Sequence, residues 1–120
     1  MNPATTTDLT SREHIHFVTG RLAEHAVRAI VEQVANAVGF KYSIDVLPIT
    51  VAALMTPKWL VRHIVVPPNT SRVVVPGYLK EGIEEVSQQL NLRVDCGPRD
   101  IRDLPDFFGK TRQFDESLND

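Results

Sequence analysis

The sequence has one cysteine among 120 residues. That excludes an internal disulfide framework and a zinc site built from several thiolates, and it agrees with a reducing cytoplasm. A surplus of positive charge is also lacking: 13 Lys and Arg stand against 15 Asp and Glu, for a net charge of -2. Nucleic-acid binders need a basic excess to displace counterions from phosphates, so that class is set aside. No apolar run approaches the roughly 20 residues of a membrane span; the longest, Thr50 to Met55, is far shorter. Residues 1–13 are polar and Thr-rich without the apolar segment of an export signal, so a soluble, cytoplasmic protein is expected. The glycine fingerprints of nucleotide binding are missing too. Val18-Thr19-Gly20-Arg21-Leu22-Ala23 holds a single glycine where G-x-G-x-x-G needs three, and no P-loop pattern occurs.

What is present is ordinary globular material, 42% hydrophobic and 23% charged. A chain of this length buries roughly two-thirds of its unfolded surface, enough for one core and too little for two. One domain is expected over residues 14–109, between a flexible leader at 1–13 and a flexible tail at 110–120.

Two hydrophobic periods alternate along that domain. His14 to Val18 is a short run of β-formers ended by Gly20. From Leu22 to Val38, Val27, Ile30, Val31, Val34 and Val38 recur at helical spacing, and Gly39 supplies the stop. Tyr42 to Leu47 reads as a second strand closed by Pro48. Thr56-Pro57 is an N-cap followed by proline at the first helical position. The helix it opens, with Leu60, Val61 and Ile64, stops before Pro67-Pro68. Arg72 to Val75 is nearly all valine and suits a strand covered on both faces. A helix from Lys80 to Leu90, a strand from Leu92 to Cys96 and a short helical turn from Ile101 to Phe108 complete the order. Strands separated by helices lie parallel. The expected fold is therefore an α/β three-layer sandwich around an open, mainly parallel four-stranded sheet, with the flavodoxin- or Rossmann-like order 2-1-3-4.

In such a sheet the ligand crevice lies beyond the carboxyl ends of the strands, where the winding reverses. That point falls between strands one and three. The loops meeting there hold Thr19, Gly20 and Arg21 on one side and Gly77, Tyr78 and Lys80 on the other, with Arg99 at the rim. Each loop has a glycine, a base and a following helix N-terminus. Such loops either receive an anion or simply make tight βα turns with solvated bases.

Other candidates are weaker. His14 and His16 alternate on one strand and share a face, the arrangement of two metal ligands, but no third ligand follows from spacing and no metal is expected. His25 and His63 read as surface residues on helices. Cys96 is either a thiol activated by Arg99 or an inert buried residue. Asp95, Asp100, Asp103 and Asp106 resemble paired carboxylates for acid–base work, or else they cap turns. Thr50 to Met55 is an apolar connection: either a helical turn packed on its own sheet, or a docking surface anchored by Val51, Leu54 and Met55 for a partner or a homodimer.

Four separated blocks, in order, carry a resemblance. They are His14-Ile-His-Phe-Val-Thr-Gly-Arg-Leu-Ala-Glu24; Val46-Leu-Pro-Ile-Thr-Val-Ala-Ala-Leu-Met-Thr-Pro57; Val75-Pro-Gly77; and Gly97-Pro-Arg-Asp-Ile-Arg-Asp-Leu-Pro105 with Phe107-Phe-Gly109. The chain resembles the N-terminal domain of dihydropteroate synthase-like proteins linked to tetrahydromethanopterin biosynthesis. In that family the domain precedes a pterin-binding TIM barrel, and no position here matches the barrel's residues. The resemblance implies an accessory or ligand-binding module of pterin and one-carbon metabolism. Such a module takes a phosphorylated or pterin-like anion at the strand ends or docks a barrel partner. Neither a bound cofactor nor a recognisable catalytic constellation is expected. The alternatives are a small enzyme using the 95–106 loop and a homo-oligomeric assembly protein.

Overall fold

The computed structural model describes residues 13–108. The leader and tail expected to be flexible lie, apart from Glu13, outside the described residues. Strands β1 (His14–Thr19), β2 (Lys41–Val46), β3 (Arg72–Val75) and β4 (Arg93–Cys96) alternate with helices α1 (Glu24–Val38), α2 (Pro57–His63) and α3 (Ile83–Leu90). The sheet runs β2-β1-β3-β4 with every neighbouring pair parallel, as the alternation of periods requires.

Alternation along each strand divides the core in two. On one face Ile15, Phe17 and Val74 meet the α1 stripe Val27, Val31, Val34 and Ala35, together with Phe40, Leu104 and Phe108. On the other, Val18, Val73, Val75 and Val94 meet Leu60 of α2 and Val86 of α3. Fully burying one such aliphatic side chain contributes about 1.5–3 kcal/mol, so the two clusters dominate the stability. β3 sits between β1 and β4, which is why its valines face apolar neighbours on both sides.

The element ends follow local chemistry. Thr56 caps α2 by accepting from the Trp59 N–H at 3.2 Å. α1 stops at Gly39, whose φ of 96° is left-handed backbone that favours glycine, and the Gly39 N–H closes on the Ala35 carbonyl at 2.8 Å.

Two segments differ from expectation. The first helix begins at Glu24 rather than Leu22 because the N–H groups of Arg21 and Leu22 donate to the carbonyls of Ile49 and Thr50 (2.8 and 3.0 Å), which holds the chain in a bend. The helix expected over Lys80–Leu90 is a 3₁₀ segment, Gly77–Gly82, followed by α3. Leu79 leaves helical geometry (φ -99°, ψ 17°) as its side chain enters the core beneath β3.

Candidate functional site

Parallel strands deliver their carboxyl ends to one rim, so the loops after Thr19, Val46, Val75 and Cys96 share it. The crevice was expected between β1 and β3, and there the space is filled. Ile101 and Leu104 fold over the strand ends onto Phe17, Val18, Val27 and Pro76, leaving about 40 Å³ with a mostly apolar lining. That is room for about one water, with few polar partners to hold it.

The open cleft lies one strand over, across the ends of β3 and β4, with a volume of about 870 Å³. Gly77, Gly97 and Pro98 form its floor, where the two loops run backbone against backbone. A Cβ on Gly77 would stand 2.7 Å from the Arg99 nitrogen and the Gly97 oxygen. Lys80 and Arg99 supply two cations, while Asp103, Asp106 and the Phe107 ring come from the 101–108 segment. Among the described residues none of these four charged groups forms an ion pair. The Arg99 guanidinium lies 5.6 Å from the centre of the Tyr78 ring, which steadies it over the cleft mouth.

The structure therefore brings Gly77, Lys80 and Arg99 together and sets Tyr78 beside them. Thr19, Gly20 and Arg21 belong elsewhere on the rim. The Thr19 hydroxyl is buried and donates to the Gly20 carbonyl at 3.2 Å. A Cβ on Gly20 would stand 2.8 Å from the Ile49 oxygen, so this glycine serves a close backbone approach. The Arg21 N–H is spent on that same oxygen.

Cys96 contributes its thiol to the cleft, 3.4 Å from the Gly77 carbonyl. Burial raises its pKa, and the positive charges of Lys80 and Arg99 only partly oppose that rise. At pH 7.5 a thiol alkylating agent should modify Cys96 more slowly than free glutathione, followed by mass spectrometry. Faster modification would mark an activated nucleophile. Asp100 is set apart from acid–base work because its carboxylate caps the Ile101–Asp103 turn and pairs with Arg102, which holds its pKa at about 2. Asp95 is committed to Arg72 (2.9 Å) and Arg93 (3.2 Å).

The apolar connection is a single 3₁₀ turn, Ala52–Leu54. Val51 and Leu54 stay exposed, and the Leu22 N–H bond to Thr50 brings exposed Leu22 near them. Met55, expected as an anchor of that surface, is instead buried in the core with Leu60 and Leu79, because the turn rotates it inward.

A constellation that sequence reasoning passed over lies at the other end of the sheet. His14 and His16 do share a face, and both reach Ser43 on β2: His14 Nε2 at 2.9 Å and His16 Nδ1 at 2.6 Å from its Oγ. His16 Nε2 is 3.3 Å from Asp45 Oδ2, which also accepts the Val65 N–H at 2.8 Å. Burial lowers the His16 pKa, and the Asp45 contact only partly restores it. At neutral pH a neutral imidazole therefore donates to the carboxylate. No cluster of three metal-ligating side chains occurs among the described residues. The missed signal was the polar alternation Lys41, Ser43, Asp45 on the facing strand. His25 and His63 are on the surface, the latter stacked on Trp59 with ring centres 4.1 Å apart.

The model of a family of unknown function, DUF6513, matches residues 13–99. The chain belongs to that family. Its match runs through all four strands and ends on Arg99, a cleft cation, so Asp103, Asp106 and Phe107 lie beyond it. The DUF6513 description names neither ligand nor activity. No curated protein and no solved structure matches the chain. No helix among the described residues is long and apolar enough to cross a membrane.

Proposed function

We propose that this DUF6513 chain is a ligand-binding module whose β3–β4 cleft takes a phosphorylated or pterin-like anion in tetrahydromethanopterin-type one-carbon metabolism. The observation that carries the reading is the presence of Lys80 and Arg99 on an open cleft of about 870 Å³, where neither forms an ion pair among the described residues, although Asp103 and Asp106 line the same cleft. Unpaired cations attract anions, and a guanidinium can meet two oxygens of a phosphate or carboxylate at once. The Phe107 ring offers a flat apolar wall for a planar group beside them. The pterin class comes from the resemblance in sequence; the anion comes from the cleft. Exposed Val51 and Leu54, with Leu22, form the face that would meet a barrel partner.

Thermal unfolding with inorganic phosphate and with a pterin phosphate tests the reading. A ligand at a hundred times its Kd stabilises the folded state by about 2.7 kcal/mol, which is a rise of about 10 °C or more. The rise should vanish in the Lys80→Ala, Arg99→Ala double variant and persist in Arg21→Ala, whose loop lies outside the cleft. An unchanged melting temperature with both ligands overturns the proposal.

A further inference from the structure

The sheet has two edges, and they are built differently. β4 is four residues long, and its Arg93 and Asp95 are tied into a charged cluster with Arg72, the short and charged edge that resists strand addition. β2 is six residues long, without proline. Its ladder to β1 consumes alternate residues: the Lys41 N–H donates to Glu13 and the Leu47 N–H to Thr19, both at 2.9 Å. In a parallel ladder that alternation turns the N–H and C=O groups of Tyr42, Ile44 and Val46 outward. The sheet ends there, and no described residue pairs with them.

We propose that β2 is the interface for a second copy of this chain, added antiparallel across a two-fold axis so that two four-stranded sheets become one. In an antiparallel pair, directly opposed residues point to the same side of the sheet, which limits the registers to those opposing odd with odd and even with even. The register centred on Ser43 opposes Lys41 to the partner's Asp45 and, by symmetry, Asp45 to the partner's Lys41. On the other side it opposes Tyr42 to the partner's Ile44, an aromatic and β-branched pair of the kind that stabilises sheets. Tyr42 and Ile44 are also residues with outward backbone groups, so they form the hydrogen-bonded pairs. Centring on Ile44 opposes Asp45 to the partner's Ser43, and centring on Tyr42 opposes Lys41 to the partner's Ser43; neither pairs a charge.

The flanks agree. Of the large exposed apolar side chains, Tyr42 borders the seam on the α1 side. Val65 borders it on the opposite side, held there by its bond to Asp45. A seam of one short strand with these flanks is a small contact surface, so the dimer should be concentration-dependent.

Sedimentation from about 1 to about 500 µM should show a monomer–dimer equilibrium. Lys41→Glu places like charges opposite one another twice and should raise the dissociation constant about tenfold. Tyr42→Pro removes an outward donor and should leave a folded monomer by circular dichroism. Ser43→Cys in a Cys96→Ser background should cross-link on oxidation, because unbonded antiparallel pairs bring Cα atoms within about 4.5 Å, inside disulfide range. A monomer at every concentration overturns the proposal. So does a dimer indifferent to both Lys41→Glu and Tyr42→Pro, which would place the contact on another face such as Val51 and Leu54 or on an added peptide strand. A Ser43→Cys variant that dimerises but does not cross-link on oxidation overturns the register.

Discussion

Leu104→Ala should cost about 2–5 kcal/mol of stability, the range for truncating a buried leucine whose surroundings cannot close over the gap. Leu104 is fully buried and packs with Phe17, Val27 and Phe108. At about 4–8 °C per kcal/mol for a domain of this size, the melting temperature should fall by about 10 °C or more. The functional consequence distinguishes this position from other core leucines. Leu104 pins the 101–108 segment over the strand ends, and that segment supplies Asp103, Asp106 and Phe107 to the cleft. Leu60→Ala, on the opposite face beneath α2, should lower stability by a similar amount and leave the cleft wall in place. Calorimetry of both variants, with anion affinity measured well below their melting temperatures, separates the two effects. Equal affinity in Leu104→Ala and Leu60→Ala would show that the 101–108 wall contributes nothing to binding.

Much of the fold was legible because the physics that sets it is local. The valines at 73, 74 and 75 announce a strand with apolar neighbours on both faces, and Thr56-Pro57 and Gly39 mark a helix start and a helix stop. Parallel order follows from the alternation of elements. The site was less legible, for a reason that concerns one segment. From Ile101 to Phe108 the apolar positions Ile101, Leu104 and Phe108 recur at helical spacing, but so short a segment does not show which strand ends they cover. Only tertiary packing shows Ile101 and Leu104 filling the gap between β1 and β3, which displaces the open cleft onto β3 and β4. Gly20 and Gly77 look equivalent in sequence, since each follows a strand and precedes a base. They differ in what presses on them: the Ile49 carbonyl at Gly20, the Gly97–Arg99 backbone at Gly77. Long-range approaches of that kind leave no periodic trace. Met55 illustrates the same limit, because a 3₁₀ turn changes which of three consecutive apolar residues faces inward.

The histidine network should make the fold acid-sensitive, and Asp45 decides how strongly. His16 is 3% exposed, and burial holds its folded pKa below the ordinary value of 6.5. The unfolded chain therefore binds a proton more readily than the folded one. Stability should rise with pH through this window. It is fully present above pH 6.5 and is lost progressively as the pH falls below that value toward the folded pKa. Denaturant midpoints at constant ionic strength should decline from pH 7 to pH 5 in the parent protein, and His16→Gln, which keeps a polar side chain without titrating, should flatten that slope. An unchanged slope in His16→Gln would assign the acid sensitivity to other groups. Asp45→Ala acts on the same network in two ways. It orphans the buried Nε2–H of His16, at about 1–3 kcal/mol for an unsatisfied buried donor, and it removes the charge that raises the His16 pKa. The variant should be less stable at pH 7 and should lose stability still more between pH 7 and pH 5 than the parent does. If its loss is the same at both pH values, the carboxylate contributes only its hydrogen bonds, and the charge of Asp45 has no hold on the imidazole.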